Sequence, residues 1–469
     1  MTAIAPLHET PPTRRGSRVL NTPLVLGALG VVVCGIAWLG VVGSDALWLS
    51  ALGDAIREGR TVPRGIPFAA ADSQQWVNTT VLGQLLFSFI TEMGSVGVAL
   101  AQLVAAAVAL GILAAGSLSQ GASSTHTALA ILVVAAGAAA PLLVARAQLL
   151  SLVPFALLLA LVRRQQVQPD RHIWWAVPLL VLWGNLHGAV LVGVAVLGCY
   201  IAFSRLRSTP LTAVGVGASA LVATCLNPGL TRAPEYYLGV LGGEATSDPS
   251  GMWGRLNLSN PFDLLLVVAM VALALVTLRR RQPLWEYVAL VGLVVATGSA
   301  ARNGIWLLLL VLTPAALGAS NTRAVAGPHE SAGRVSRLIA PTALAVTVLA
   351  LAASLVATRI PDFQADDRAA ADLAAATRGE VVLVAEPLAE SIAAAKGLVW
   401  VSNPLDAFAA AHQDAYLGFM SGDATRASES LRRADVVVAT PGSAQARLAS
   451  DAGFQLSERV GEYVLLRRS

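Results

Sequence analysis

Apolar runs of membrane-spanning length, separated by short polar connections, fill most of the first 358 residues. Eleven such runs are predicted as transmembrane helices, near 21–42, 94–117, 126–143, 147–162, 173–187, 189–204, 210–226, 261–278, 285–301, 303–320 and 338–358. Crossing ~30 Å of hydrocarbon at ~1.5 Å per residue takes about 20 apolar residues, and only a helix satisfies its backbone there. The first run follows Arg14, Arg15 and Arg18, and no small-x-small cleavage site comes after it. It therefore reads as an uncleaved first span, not a signal peptide. Residues 1–20, with their prolines and threonines, read as a disordered tail.

Two connections are long. Residues 43–93 are partly apolar, with apolar and aromatic positions at helical spacing, and are predicted to form interfacial helices lying on the membrane. They contain Asp45, Trp48, Asp54, Glu58, Asp72 and Trp76. Residues 227–260 open on Asn227-Pro228-Gly229 and include Arg232, Tyr236, Tyr237 and Trp253.

From about Arg359 the pattern changes. Charge rises and no run reaches span length. Short β-rich runs at 381–384, 398–401, 436–440 and 463–467 alternate with alanine-rich helical stretches near 365–377, 388–396, 405–416, 424–433 and 443–452. This alternation predicts a small α/β domain over 359–469 with a mainly parallel sheet. It holds no glycine-rich phosphate loop, so no nucleotide site is expected.

Composition agrees with lipid as the solvent: 55% of the 469 residues are hydrophobic and 13% are charged. Soluble chains carry about 25% charge. Cys34, Cys199 and Cys225 all fall in apolar runs and read as small buried residues, with no metal pair. Arginines concentrate in alternate connections: Arg163, Arg164 and Arg171; Arg205 and Arg207; Arg279, Arg280 and Arg281; Arg323, Arg334 and Arg337. By the positive-inside rule these connections are cytoplasmic. The N-terminus is then inside, and the 43–93 loop, the 227–260 loop and the C-terminal domain are outside, at a plasma (inner) membrane.

That orientation gathers polar residues at one depth. Asp45 follows the first span, Arg146 and Gln148 separate the third and fourth, Asn185 and His187 the fifth and sixth, and Arg302 and Asn303 the ninth and tenth; Asn227 follows the seventh. Together they can line an outward polar cavity. Guanidinium groups there suit a phosphate, which they bind in a planar, bidentate fashion, and an acid at that level can take a proton from a hydroxyl. Individually, each has a plainer reading. Arg146 and Arg302 can snorkel to headgroups, His187 can satisfy an interhelical hydrogen bond, and Asp54, Glu58 and Asp72 can form a solvated loop face.

Several short motifs carry a resemblance. Asp45-Ala46-Leu47-Trp48, with Gly53, Ile56, Gly59, Val62-Pro63, Phe68, Asp72-Ser73, Trp76 and Leu82, resembles the first outer loop of bacterial multi-span proteins related to the GT-C superfamily of glycosyltransferases. Arg146-Ala147-Gln148, Trp183-Gly184-Asn185-Leu186-His187-Gly188, Leu226-Asn227-Pro228-Gly229 and Ala301-Arg302-Asn303 continue it in order. The resemblance implies a GT-C-like helical membrane fold that moves a sugar from a polyprenyl phosphate or pyrophosphate at the outer face, usually with inversion. It also implies that the acid at position 45 serves as base or metal ligand. Many relatives carry two adjacent acids, whereas here Asp45 stands alone between Ser44 and Ala46. One carboxylate offers too few hard ligands to hold a divalent metal by itself.

The expectation is a polyprenyl-phosphate-dependent glycosyltransferase of cell-envelope assembly. Asp45 is its base, and Arg146, Gln148, Asn185, His187, Arg302 and Asn303 bind the substrate. Its partners are a lipid-linked sugar, a glycan or lipid acceptor and membrane lipid, not nucleic acid. The alternative is a non-catalytic lipid-binding or scaffold protein retaining the same fold. A secondary transporter fits less well, because neither an inverted repeat nor a pair of broken helices is visible.

Overall fold

The computed structural model describes residues 23–242, 254–320 and 336–468. The N-terminal tail, Trp253, Arg323 and Arg334 lie outside the described residues. Each of the eleven apolar runs contains a helix: α1 (Pro23–Leu39), α4 (Gly94–Ser119), α5 (Ser124–Gly137) with α6 (Ala139–Leu143), α7 (Leu149–Val167), α8 (Ala176–Leu186), α9 (Val190–Tyr200), α10 (Pro210–Ala223), α12 (Pro261–Thr277), α13 (Leu284–Ser299), α14 (Gly304–Ala319) and α15 (Ser336–Ala376). The longer connections hold α2 (Ser44–Gly59), α3 (Val81–Ile90) and α11 (Ala233–Gly242). Among the described residues, four helices are long and apolar enough to cross a membrane, and six more apolar helices run 10–17 residues.

Burial orders the bundle. Helix α14 is buried all round, from Gly304 to Ala316, and packs against α4, α5, α12 and α13. An evenly hydrophobic helix belongs at the centre of such a bundle. Helix α15 is its opposite: Val346, Leu349 and Leu351 point outward while the helix packs on α1 and α4. Outward-facing apolar side chains are what a lipid solvent permits.

At one end of the bundle Arg163 and Glu286 form a buried ion pair at 2.9 Å, and Arg163 Nη2 donates to Leu310 O at 2.6 Å. Arg163 is thus an interior residue of α7, not a loop charge, and Arg205 is likewise buried. A charge this deep is kept by its partner: removing one member leaves the other buried and uncompensated.

The first long connection is covered by protein. Helix α2 buries Ala46, Trp48, Leu49, Ser50, Ala51, Leu52, Gly53 and Ile56 against α3 and the C-terminal region. The expected interfacial helices therefore exist, but the apolar face of α2 meets protein. A β-carbon on Gly53 would stand 2.1 Å from Gln84 O, so only glycine allows α2 and α3 this approach.

The C-terminal region differs from expectation in two ways. Helix α15 is continuous through Arg359 and Pro361, so the predicted boundary falls inside a helix that joins bundle and C-terminal region. The sheet is mixed. β3 (Val382–Val384) pairs in parallel with β4 (Val436–Ala439), but β4 pairs antiparallel with β6 (Tyr463–Arg468), and β6 with β5 (Phe454–Val460). Strand β5 escapes the sequence reading because its middle, from Gln455 to Arg459, is exposed and polar but for Leu456. The run at 398–401 makes only single bridges, to Val382 on one side and to Ala69 of the first long connection on the other. Helices α16 (Leu388–Ala394), α17 (Ala410–Ser421), α18 (Ala424–Arg433) and α19 (Ala444–Asp451) complete the region.

Several contacts tie this region to the bundle. Ala70 N and Ala71 N donate to Val399 O (2.8 Å) and Trp400 O (3.0 Å), and Val399 N donates to Phe68 O (3.0 Å). Helix α16 packs on α2. Asp367 of α15 accepts from Ser95 N at 3.1 Å and Ser95 Oγ at 2.6 Å, placing a carboxylate at the N-terminus of α4, where the helix dipole favours it.

Candidate functional site

Asp45 and Arg146 are brought together by a two-residue parallel ladder. β1 (Val41–Val42) pairs with β2 (Val144–Ala145), and Gly43 N continues it by donating to Ala145 O at 2.9 Å. Asp45 then opens α2, and Arg146 leaves β2 beside it. Gly43 is required by this approach: a β-carbon there would lie 2.9 Å from both Arg146 Cγ and Val144 Cγ1.

Arg302 closes the arrangement. Gln148 Nε2 donates to Arg302 O at 3.3 Å, linking the start of α7 to the turn before α14. Arg302 acts electrostatically on both Asp45 and His187. Burial pushes the Asp45 carboxyl above its ordinary range, while Arg146 first, then Arg302 and the Trp48 side chain, pull it back. An acid desolvated yet within reach of two guanidiniums is a stronger base than one in water.

His187 sits in the extended residue that ends α8. Its Nδ1 accepts from Ala189 N at 3.3 Å and from Ser151 Oγ at 2.7 Å, and Ser151 Oγ in turn accepts from Trp183 Nε1 at 2.7 Å. Two donors on Nδ1 assign the hydrogen of the neutral ring to Nε2. The amides are tied to backbone. Asn185 Nδ2 donates to Val181 O (2.9 Å) and Leu226 O (2.7 Å), and Asn303 Nδ2 donates to Ala296 O (2.9 Å). Asn227 bridges its own turn, donating to Thr224 O and accepting from Gly229 N.

Asp45, Arg146, Gln148, Asn185, His187, Arg302 and Asn303 are all half-buried, and Asp45, Arg146 and Arg302 lie within electrostatic reach of the C-terminal region. That region contributes residues the sequence reading missed. Glu386 follows β3 and acts electrostatically on Asp45 and Arg146. Asp406 follows the 398–401 run and faces Arg302, Trp76 and Tyr236. Ligand groups gather beyond the C-terminal ends of parallel strands. Polar residues directly after two predicted strands, Ala385-Glu386-Pro387 and Ser402-Asn403-Pro404, were the available signal.

The donor set at Asp45 does not fit a divalent cation. Two guanidiniums flank the carboxylate. Among the described residues no three histidine, cysteine or acidic side chains converge on a metal position.

No family model and no curated protein matches the sequence. Solved structures do. ArnT from Cupriavidus metallidurans bound to undecaprenyl phosphate aligns over 94% of this chain and 97% of its own, with a TM-score of 0.53 and 11% identity. Its apo structure aligns over the same shares, again with a TM-score of 0.53 and with 13% identity.

The chain shares the fold of ArnT, a GT-C-like fold.

The archaeal oligosaccharyltransferase AglB from Archaeoglobus fulgidus, solved with an inhibitory peptide and a dolichol-phosphate, aligns over 88% of this chain and 69% of its own. There the TM-score is 0.50 and the identity 10%. At these identities the likeness is one of fold.

Proposed function

We propose that this GT-C protein is a membrane glycosyltransferase. It transfers a sugar from a polyprenyl-phosphate donor to a glycan or glycolipid acceptor of the cell envelope, at the outer face of the plasma membrane. The observation that carries this reading is that Asp45 lies within electrostatic reach of both Arg146 and Arg302, with Arg146 held beside the start of α2 by the ladder of residues 41–42 and 144–145. The ArnT and AglB structures, solved with undecaprenyl phosphate and a dolichol-phosphate, support the choice of donor. The arginine-rich connections support an N-terminus in the cytoplasm and the C-terminal region outside.

In this reading Arg146 and Arg302 hold the donor's phosphate and stabilise the charge that grows on it as the bond to the anomeric carbon breaks. Asp45 removes the acceptor's hydroxyl proton as that oxygen attacks from the opposite side. His187 offers its Nε2 hydrogen to the phosphate or the sugar. Asn185 and Asn303, whose amide nitrogens donate to carbonyls, hold the shape of the turns they stand in.

The test supplies purified protein with polyprenyl-phospho-sugars and envelope acceptors, beside Asp45→Asn. Transfer by wild type and its loss in the variant is the expected result. A variant as fast as wild type removes Asp45 from the chemistry, and absence of transfer with every donor favours the non-catalytic lipid-binding reading.

A further inference from the structure

At the far end of the bundle from His187, one corner gathers buried polar groups that have no partner among the described residues. Arg205 is 5% exposed, and neither its Nε nor its Nη1 meets an acceptor. The Tyr200 hydroxyl, the Trp285 indole nitrogen and the Thr209 hydroxyl are also buried and unbonded. Buried polar groups in folded proteins are almost always hydrogen-bonded, so orphans clustered in one place point to a missing acceptor.

Local geometry puts these groups together. Helix α9 runs on into a π turn, Ile201–Arg205. Leu206 N donates to Ile201 O at 2.9 Å, five residues back. Tyr200 and Arg205 are also five apart, so the widened turn stacks them on one face, and the guanidinium charge acts on the tyrosine hydroxyl. Such π turns recur at functional sites. Thr209 N donates to Arg205 O at 2.9 Å, folding the start of α10 back over the turn. Helix α13 packs on both α9 and the π turn, and its Trp285 ring meets the Tyr200 ring edge-on at 5.9 Å. Thr209 is the N-cap of α10, yet its side chain caps nothing. The first N–H groups of α10 and the positive end of its dipole therefore lie at the same corner.

Among the described residues no carboxylate pairs with Arg205. Glu286, beside Trp285 in sequence, is bonded to Arg163 at 2.9 Å. A guanidinium and an indole can only donate, and the hydroxyls can donate too. The complement of this set is an anion with several acceptor oxygens, a phosphate. The surroundings say which phosphate. Phe203, Leu206 and Leu211 are exposed and apolar, as lipid-facing residues are. Trp174 packs on α10, where a β-carbon on Gly215 would stand 3.0 Å from its ring, and tryptophans collect at headgroup depth. The arginine-rich connections make this the cytoplasmic end, and α9 with its π turn sets it roughly 25 Å from His187.

We propose that Arg205, Tyr200, Trp285 and Thr209 form a binding site for the phosphate of an anionic phospholipid at the cytoplasmic end of the bundle. The headgroup phosphate supplies the counter-charge that the fold lacks, and the acyl chains lie along the apolar rim. The site is separate from Asp45 and does not depend on the transferase reading.

The experiment delipidates the full-length protein in a neutral detergent and follows Tm on adding dioleoyl phosphatidylglycerol, dioleoyl phosphatidylcholine or sodium phosphate. A ligand of the native state raises Tm by mass action. Phosphatidylglycerol should raise the wild-type Tm well above the effect of either other addition. Arg205→Gln should melt no lower than wild type in detergent alone, since it carries no uncompensated buried charge. It should need about tenfold or more phosphatidylglycerol for half the shift, the scale for losing hydrogen bonds to a charged group. Tyr200→Phe and Thr209→Val, each lacking only a hydroxyl, should need severalfold more, while Arg207→Gln at an exposed neighbouring position should match wild type. Equal titrations in wild type, Arg205→Gln and the two hydroxyl variants overturn the site and leave its donors to water. An equal loss in Arg207→Gln overturns it in favour of diffuse charge attraction. A full shift from sodium phosphate, with nothing added by phosphatidylglycerol, overturns the lipid assignment in favour of a soluble phosphate.

Discussion

Gly43 and Arg146 touch so closely that no side chain can come between them: a β-carbon on Gly43 would lie 2.9 Å from Arg146 Cγ. The contact follows from the ladder between residues 41–42 and 144–145, and it sets the distance between the acid of one connection and the cation of another.

Gly43→Ala should therefore misplace Arg146 without unfolding the bundle. The expected outcome is donor binding weakened about tenfold, ~1.4 kcal/mol, measured by titration with a polyprenyl phosphate. Unchanged affinity would show that the ladder does not position the cation.

Arg146 and Arg302 should respond differently to lysine and to alanine. Lysine keeps the charge but loses the planar pair of donors, so donor recognition should weaken while transfer persists. Alanine at either position should cost about a hundredfold in kcat/KM, the scale for losing one charge-stabilising donor. Equal rates for lysine and arginine would argue against bidentate phosphate binding.

The acid limb of the pH profile should belong to Asp45. Activity needs the ionised form, so rate rises with pH through its folded value. Arg146 lowers that value. Arg146→Gln should accordingly move the limb to higher pH. A limb that stays in place, or moves down, would assign it to another group.

Glu390 makes a stability prediction. Burial first, then Glu386, raises its carboxyl above the ordinary range. The native state therefore holds a proton that the unfolded chain releases. Stability is greatest below the unfolded carboxyl value and falls as pH rises through the folded one. Glu390→Gln should flatten that fall, read as the drop in Tm of the detergent-solubilised protein from acid to mildly alkaline pH. A drop as steep as wild type's would mean that Glu390 is ionised in the fold.

The exposed ion pair between the C-terminal region and α2 should matter less than the close packing of α2 on α3. Lys396 and Glu58 meet at 2.6 Å with both side chains exposed, and such pairs are worth less than about 1 kcal/mol. Lys396→Ala should leave Tm nearly unchanged. Gly53→Val, at a position where a β-carbon would sit 2.1 Å from Gln84 O, should abolish folded protein in size-exclusion chromatography. The reverse ranking would make the ion pair worth more than the α2–α3 contact.

Much of the architecture was legible along the chain because it is local. A helix in lipid must satisfy its own backbone within one segment, so each apolar run announces itself, and a helix stands at every one of the eleven. Strands β3, β4 and β6 were equally legible as short β-branched runs. Asp45, Arg146, His187 and Arg302 could be nominated from the turns between runs, since polar groups at those positions are costly unless used.

Other features depended on contacts between distant segments. The unbroken α15, the exposed strand β5 held by its pairing with β6, and the buried partnership of Arg163 with Glu286 leave no periodic trace. Nor does the bridging of the 398–401 run to both Ala69 and Val382. By itself the sequence determined which segments are helices and which turns carry charge, because hydropathy is written residue by residue. Only the tertiary structure decided which of those charges come within electrostatic reach of one another, because their energies depend on distance and burial, and folding alone sets both.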